Sequence, residues 1–451
     1  MSEHWDVIIV GARCAGASLA TLLAKQGVRT LLLEASSRGS NMPMSTHLVQ
    51  PPGMAALDRL GLGQRVRAVT PPTARFRLAL DEASLIGHSE PEQAPYCVRR
   101  STLDPWLQDT AEQAGAALRF RHRVVDLVRE NERVTGVVVS SPSGMSTLRA
   151  GLVVGADGTQ STIAKLTGVE QYLVGESSRA GYWTYYDAPA SWEAAWDSTL
   201  EHRGNEVRYV FRTDGGQVLL AYLGEREVVT QWGADRKAHL EQAFAESPTT
   251  RVFTEGKRPA GALMGIMEAD FFYRRPVGPG FALIGDAGHY KDFVTGQGMT
   301  DAFLDAERMA TAVLDGREEA YAHYWRERDV ATLPFHFDAL RQGAVGYNDP
   351  LMRWVIGSMA SRPELAARFK LVLQRQITPG ELIPTGALLG MVGAALLRGR
   401  FNVGAGFLRL GKQLAPEKRE LAARQTLLES ARAALDSAPP AAARATRQRA
   451  A

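Results

Sequence analysis

Val7-Ile8-Ile9-Val10-Gly11-Ala12-Arg13-Cys14-Ala15-Gly16-Ala17 is the stretch on which the fold turns. A β-branched run from Trp5 to Val10 meets a glycine, and a helical pattern then runs from Ala15 to Lys25. The chain returns as Arg29-Thr30-Leu31-Leu32-Leu33-Glu34, completing a strand, helix, strand unit. In such a unit Gly11 permits the tight turn and Gly16 lets the helix pack closely on the strand, while the helix N-terminus offers N–H groups and a positive dipole end to a pyrophosphate. Glu34, closing the second strand, is placed to accept hydrogen bonds from an adenosine ribose. Its carboxylate would repel a 2′-phosphate, so FAD or NAD suits the turn better than NADP. Arg13 stands where the dinucleotide pattern has its second glycine, so this turn does not decide the cofactor by itself.

Two further motifs join it. Val153-Val154-Gly155-Ala156-Asp157-Gly158-Thr159-Gln160-Ser161 ends a strand in Gly-Ala-Asp-Gly and starts a helix. Ala282-Leu283-Ile284-Gly285-Asp286-Ala287-Gly288-His289 does the same and continues through Gly296-Gln297-Gly298-Met299 into another helix. Asp286 is placed to accept a hydrogen bond from a ribityl hydroxyl. The N–H groups near Gly298 and Met299 are placed to face the flavin N1–C2 carbonyl edge, where negative charge collects on reduction.

Around these motifs the pattern is mixed. A helix is expected from Met54 to Leu60 after Pro51-Pro52-Gly53, and another from Leu103 to Ala114. Short strands at Leu118–Phe120, Arg123–Leu127 and Arg133–Ser140 form a meander leading back to Ala150–Val154. Between about 177 and 275 the chain turns strand-like at Tyr182–Asp187, Glu206–Thr213, Gln217–Gly224 and Glu227–Gly233, with Asp214-Gly215-Gly216 as a hairpin turn and one helix at Lys237–Phe244. From Thr300–Leu314 onward it is helical. The organisation is therefore FAD-binding segments at 1–70, 95–176 and 276–330, substrate-domain segments at 71–94 and 177–275, a helical region at 331–437 and a disordered tail at 438–451.

Composition narrows the classes. A net charge of +3 over 451 residues, with scattered basic residues, gives no nucleic-acid groove. Two cysteines, Cys14 and Cys97, are too few for a disulfide framework and carry no zinc spacing, which fits a reducing cytoplasm. The first strand begins at once, leaving no room for a secretory leader. The apolar run Leu382–Leu397 contains Pro384 and falls short of the roughly 20 residues that span a bilayer. With Arg398 and Arg400 behind it, it permits peripheral membrane contact or a buried helix pair. Nothing fixes an oligomeric state.

The ordered trio, a Gly-rich turn near residue 11, Gly-Ala-Asp-Gly near 157 and Gly-Asp-Ala-Gly-His near 286, resembles the flavoprotein monooxygenases of the p-hydroxybenzoate hydroxylase class. It also resembles their relatives, the geranylgeranyl reductase-like oxidoreductases, in which variants of Gly-Ala-Arg-Cys-Ala-Gly occur. The pattern covers residues 5 to about 315. The resemblance implies an α/β protein with a Rossmann-type, glutathione-reductase-like FAD-binding domain, an inserted antiparallel substrate sheet and a helical C-terminal region. Carried over by position, it assigns Gly11, Ala12, Arg13, Gly16, Glu34, Ala35, Arg100, Val124, Asp286, Gly298 and Met299 to FAD. Arg100 matches a basic residue beside the nucleotide, and Val124 a strand position whose backbone meets adenine. Two departures stand out: Phe293-Val294 occupies the place of a customary proline, and Asp157 belongs to a motif linked both to cofactor binding and to structure.

No second nucleotide-binding unit is visible, which fits enzymes in which NAD(P)H binds transiently as co-substrate. The expected activity is hydroxylation or epoxidation, with O2, of a small hydrophobic aromatic or prenylated metabolite through a flavin C4a-hydroperoxide. Reduction of isoprenoid double bonds is the alternative, and a non-catalytic flavin or ligand carrier a third. The Trp-x-Trp-x-Ile-Pro motif of related halogenases does not occur. Alternation along the strand sends Tyr182 and Tyr186 to one face and Trp183 and Tyr185 to the other, so only one set can line a pocket. Tyr182 and Tyr186 are the substrate candidates. No catalytic side chain is identifiable beyond His47, and a histidine so placed is more often structural.

Overall fold

In the computed structural model, which describes residues 3–39 and 45–438, the strand His4–Val10 lies between Gly144–Gly155 and Thr30–Glu34, parallel to both. The main sheet runs Val277–Gly278, Phe281–Leu283, Gly144–Gly155, His4–Val10, Thr30–Glu34, Ala117–Phe120, with the Arg123–Glu130 and Arg133–Ser141 meander attached to Gly144–Gly155. That twelve-residue strand does two jobs: its first half pairs antiparallel with the meander, its second half parallel with His4–Val10. Strands covered on both faces need no polar alternation, and all five residues of Thr30–Glu34 are buried.

Helices Cys14–Lys25 and Gly298–Asp315 cover one face, packing Ala17, Leu19, Ala20 and Leu23 with Phe303, Ala306 and Met309. The meander covers the other through Val134, Val137 and Val139 against Ile8, Leu31 and Val153. The helix Cys14–Lys25 can lie this close only because Gly16 has no side chain: a Cβ there would stand 1.9 Å from the Gly11 carbonyl oxygen. Gly11 itself sits at φ 104°, in the region that favours glycine.

A second sheet runs Met264–Ile266, Arg179–Asp187, Gln217–Glu225, Glu206–Arg212, Ser198–Arg203, Arg75–Leu80, Ala83–His88. It is antiparallel apart from the pairing of Ser198–Arg203 with Arg75–Leu80. One face carries Trp183, Tyr209, Leu219, Ala221 and Leu223 and packs in part under C-terminal helices through Ile356, Met359 and Phe369. The other face, with Ala180, Tyr186, Val218 and Leu220, is closed by Leu240, Phe244 and Phe253.

The expected strand Glu227–Gly233 is instead the helix Arg226–Thr230. Val228 and Val229 suggest β structure, but the Arg226 N–H bonds to the Ser178 carbonyl and turns the chain, burying Val229 and leaving Val228 exposed. A further helix, Pro248–Thr254, follows Arg236–Glu246; its start signal is Ser247 accepting from the Thr249 N–H ahead of Pro248. The C-terminal region holds Glu318–Gly343, Pro350–Ala360, Pro363–Leu373, Thr385–Leu397 and Phe401–Ser437. Of the expected tail, residues 439–451 lie outside the described residues.

Candidate active site

The strand ends of the main sheet and the inner face of the second sheet enclose a cavity of about 520 Å³, within the usual size range for cofactor and substrate sites. At one end stands Glu34. Its Oε2 accepts from the Ala12 N–H at 2.9 Å, and its Oε1 from the Ser36 N–H at 2.9 Å and the Ser36 hydroxyl at 2.6 Å. Burial pushes its carboxyl up, yet the Ser36 and Ala12 bonds and the Arg13 charge outweigh this and hold it below the ordinary range. Glu34 is thus ionised and aimed by its own loop. Ala35 and Val124 line the same end, and the ladder is interrupted between Val124 and Asp126 by a bulge, a device that re-aims backbone groups.

In the middle stand Arg13, at the N-cap of Cys14–Lys25, and Arg100. Among the described residues no side chain caps that helix end, whose first N–H groups have no partner within the helix. Arg100 donates Nε to Asp104 Oδ1 at 2.7 Å. Gly11 lines the cavity, whereas Ala12 and Gly16 lie behind it. Ala12 spends its N–H on Glu34 and its carbonyl on Gln108 Nε2, and Gly16 serves the helix contact described above.

At the far end Asp286 accepts no hydrogen bond from any described residue, and burial raises its carboxyl to about 6 despite the opposing pull of His289 and Arg100. Beside it opens the eighteen-residue helix Gly298–Asp315, again without a side-chain cap among the described residues. Beside Gly298 and Met299 lies a buried ionic cluster, with Lys291 and Asp301 on the cavity wall. Asp301 pairs with Lys291 and with Arg375 Nη2 at 2.7 Å, and Arg375 also donates to Gln297 Oε1 at 2.6 Å. Burial raises the Asp301 carboxyl, but Arg375 and Lys291 overcome it and hold it well below the ordinary range. Sequence reasoning passed over Lys291, Asp301 and Arg375, since only the fold brings residue 375 to the Gly-Gln-Gly turn.

Trp183, Tyr209, Leu219, Ala221, Leu223 and Ile266 continue the cavity as an apolar chamber. The substrate candidates Tyr182 and Tyr186 do not reach it. Tyr182 stacks on Trp232 at 5.9 Å and Tyr186 meets Phe244 edge-on at 6.4 Å, both on the opposite face of the sheet. Tyr182 and Tyr186 face the helices, and of the other set Trp183 lines the cavity. His47 lies behind the wall that Thr46 and Leu48 form. It adopts φ 62°, shares a short hydrogen bond with the Tyr185 hydroxyl and has no partner for Nδ1 among the described residues. Burial, helped by Arg100, lowers its pKa to about 3, so the ring is neutral. Asp157 lines the cavity but spends its oxygens on the Ser161 hydroxyl at 2.6 Å and the Thr162 N–H at 2.7 Å, which fastens the start of helix Thr162–Thr167.

The arrangement fits FAD: an ionised Glu34, two helix N-termini without a side-chain cap among the described residues, two arginines and the half-buried carboxylate of Asp286 succeed one another along one cavity. Together, fold and site define a flavin-dependent oxidoreductase. Residues 4–330 match the model of the FAD binding domain family. The chain is 31% identical over 337 residues to 6-methylpretetramide 4-monooxygenase of Streptomyces rimosus, covering 69% of this chain and 76% of that one. It is 24% identical over 341 residues to digeranylgeranylglycerophospholipid reductase 2 of Methanococcoides burtonii, covering 69% and 74%. The crystal structure of p-nitrophenol 4-monooxygenase PnpA from Pseudomonas putida DLL-E4 superposes with a TM-score of 0.71 at 20% identity, over 84% of this chain and 99% of that one, and shares the fold. The chain belongs to the FAD binding domain family, within the group of flavoprotein monooxygenases and geranylgeranyl reductase-like oxidoreductases.

Proposed function

We propose that this chain is an NAD(P)H-using monooxygenase that inserts one oxygen atom into a small, planar, hydrophobic metabolite. The observation that carries this reading is the apolar chamber of Trp183, Tyr209, Leu219, Ala221, Leu223 and Ile266, continuous with the Asp286–Gly298 end of the cavity. The similarity to 6-methylpretetramide 4-monooxygenase supports it. Bound FAD, reduced by NAD(P)H, would supply two electrons to O2, one atom of which enters the substrate while the other leaves as water. The chain's own part is to hold and to exclude. Glu34 and Ala35 anchor the adenosine end, Arg13, Arg100 and the N-terminus of Cys14–Lys25 take the diphosphate, and Asp286 accepts from the ribityl chain. The N-terminus of Gly298–Asp315 puts positive potential at the pyrimidine edge of the flavin ring. The chamber walls orient the substrate and keep water out. His47, neutral and behind the wall, stiffens Tyr185 rather than moving a proton.

The test is aerobic turnover with NADH and NADPH over a panel of aromatic and prenylated compounds, read by product mass. A gain of one oxygen supports the proposal; a gain of two hydrogens per double bond, undiminished in anaerobic buffer, replaces it with alkene reduction, which the digeranylgeranylglycerophospholipid reductase likeness favours.

Two substitutions separate the compartments. Asp286→Ala removes an acceptor of a kind worth about 1.5–3 kcal/mol in charged hydrogen bonds, so FAD affinity is expected to fall roughly tenfold to a hundredfold, measured by flavin fluorescence titration. Ala221→Phe projects a ring into the chamber from a position outside the cofactor end. It is expected to leave the flavin spectrum unchanged while kcat/KM falls at least about tenfold, the effect of a blocked subsite.

A further inference from the structure

Helices Thr385–Leu397 and Phe401–Ser437 meet at the tight turn Arg398-Gly399-Arg400, fixed by the Gly399 N–H to Leu396 carbonyl and Arg400 N–H to Ala395 carbonyl bonds. The inner faces are anchored: Met391, Val392, Ala395 and Val403 are buried in the core under the second sheet. The outer faces are not. Leu397 is 91% exposed, Phe401 73% and Leu408 69%, with Leu389 and Leu396 also open. Leu389 and Leu396 stand seven positions apart, as do Phe401 and Leu408, so each pair lies along one stripe of its helix. The two helices cross where a Cβ on Gly404 would meet Leu396 at 2.9 Å, which brings the stripes side by side.

The segment that forms this apolar tip carries charge of one sign, although Arg409 is paired with Asp349. No acidic residue occurs between Glu381 and Glu417, whereas Arg398, Arg400, Arg409 and Lys412 do. Arg398 and Arg400 have no carboxylate in ion-pair distance among the described residues and lie over the Trp354 ring at 5.4 and 4.7 Å. With Ser358, Glu82 and an Arg353 that is paired with Asp81, they line a groove of about 790 Å³ beside the apolar tip. Exposed Leu and Phe beside arginines and a half-buried tryptophan is the composition of a helix that lies in a lipid headgroup layer. A second copy laid symmetrically on the tip would bring the guanidinium groups of both copies together. No helix among the described residues is long and apolar enough to cross a membrane, so the surface fits attachment rather than insertion.

We propose that the helical turn from Leu389 to Leu408 docks this enzyme on an anionic membrane surface, with Leu397 and Phe401 entering the acyl boundary and Arg398 and Arg400 binding lipid phosphates. The proposal is independent of the substrate.

The experiment is co-flotation of the full FAD-loaded protein with vesicles of phosphatidylcholine alone and of equal parts phosphatidylcholine and phosphatidylglycerol. Binding is expected only to the second and is expected to weaken with added salt. Arg398→Gln with Arg400→Gln should lower partitioning on the order of thirtyfold, and Leu397→Glu with Phe401→Glu roughly a hundredfold or more. All four residues are exposed, so the flavin spectrum and thermal midpoint should stay unchanged. Failure of the wild-type protein to float with the anionic vesicles would overturn the proposal. So would undiminished flotation of the Leu397→Glu, Phe401→Glu variant, which would move binding to other basic residues such as Arg444, Arg447 and Arg449. A concentration-dependent oligomer that the same substitutions dissolve, without vesicle binding, would assign the tip to a second copy and also overturn it.

Discussion

Gly16→Val is expected to yield a protein that neither holds flavin nor reaches the native thermal midpoint. The Cβ would stand 1.9 Å from the Gly11 carbonyl oxygen and 3.2 Å from Ala156 Cβ, and backbone cannot yield like the end of a flexible side chain. The helix would have to lift off the strand, opening the turn that presents N–H groups to the diphosphate. A clash of this type belongs with the substitutions that cost more than about 4 kcal/mol, a large part of a typical total of about 5–15 kcal/mol. Gly357→Ala is the control. It lies within helix Pro350–Ala360, and its Cβ would meet Ala83 Cβ at 3.8 Å, an ordinary contact. There the gain in helix propensity should raise stability by up to about 1 kcal/mol. Thermal and urea unfolding of both variants, with flavin absorbance, reads the contrast.

Asp301→Asn should be nearly as severe. It leaves Lys291 and Arg375 buried without their shared anion, and breaking one partner of a buried pair costs about 3–5 kcal/mol. The pH dependence has a definite sign. The folded carboxyl lies below its unfolded value of about 3.9, so its contribution is complete above that value and fades as pH falls toward the depressed folded one. Urea titrations should therefore show a wild-type to variant gap that is constant near neutrality and narrows progressively below about pH 4. A constant gap down to the acid limit would mean that the ionic cluster is not what the substitution removed. Because Gln297 shares Arg375 with Asp301, the variant should also hold FAD less tightly.

The strand-end half of the cavity was legible because its requirements are local. A strand, a glycine and a helix start suffice to place Gly11, Glu34, Asp286 and Gly298, and each motif spans few residues. Ala12 and Gly16 show the limit of position-matching: they belong to the motif, yet they build the turn rather than face the cavity. The substrate end was hardly legible. Period-2 alternation separates Tyr182 and Tyr186 from Trp183 and Tyr185, but which set faces inward depends on helices Arg236–Glu246 and Pro248–Thr254 closing the other face. Likewise Arg375 sits at φ 53° after the helix Pro363–Leu373, and nothing near it in sequence points to Asp301.

The loop after Asp286 lacks the proline customary in its family, yet it is not loose. Asp292 Oδ1 accepts from the Val294 N–H at 3.0 Å, the Val294 carbonyl accepts from the Tyr209 hydroxyl at 2.8 Å, and Gly296 closes the turn at φ 61°. A proline would write this shape into a single pyrrolidine ring, effective even in an otherwise unfolded chain. Here the same shape is assembled from a carboxylate, a phenol on a distant strand and a glycine, and it exists only while all three segments are in place. The geometry of this loop is thereby a cooperative property of the folded molecule, borrowed from the second sheet rather than owned by the loop.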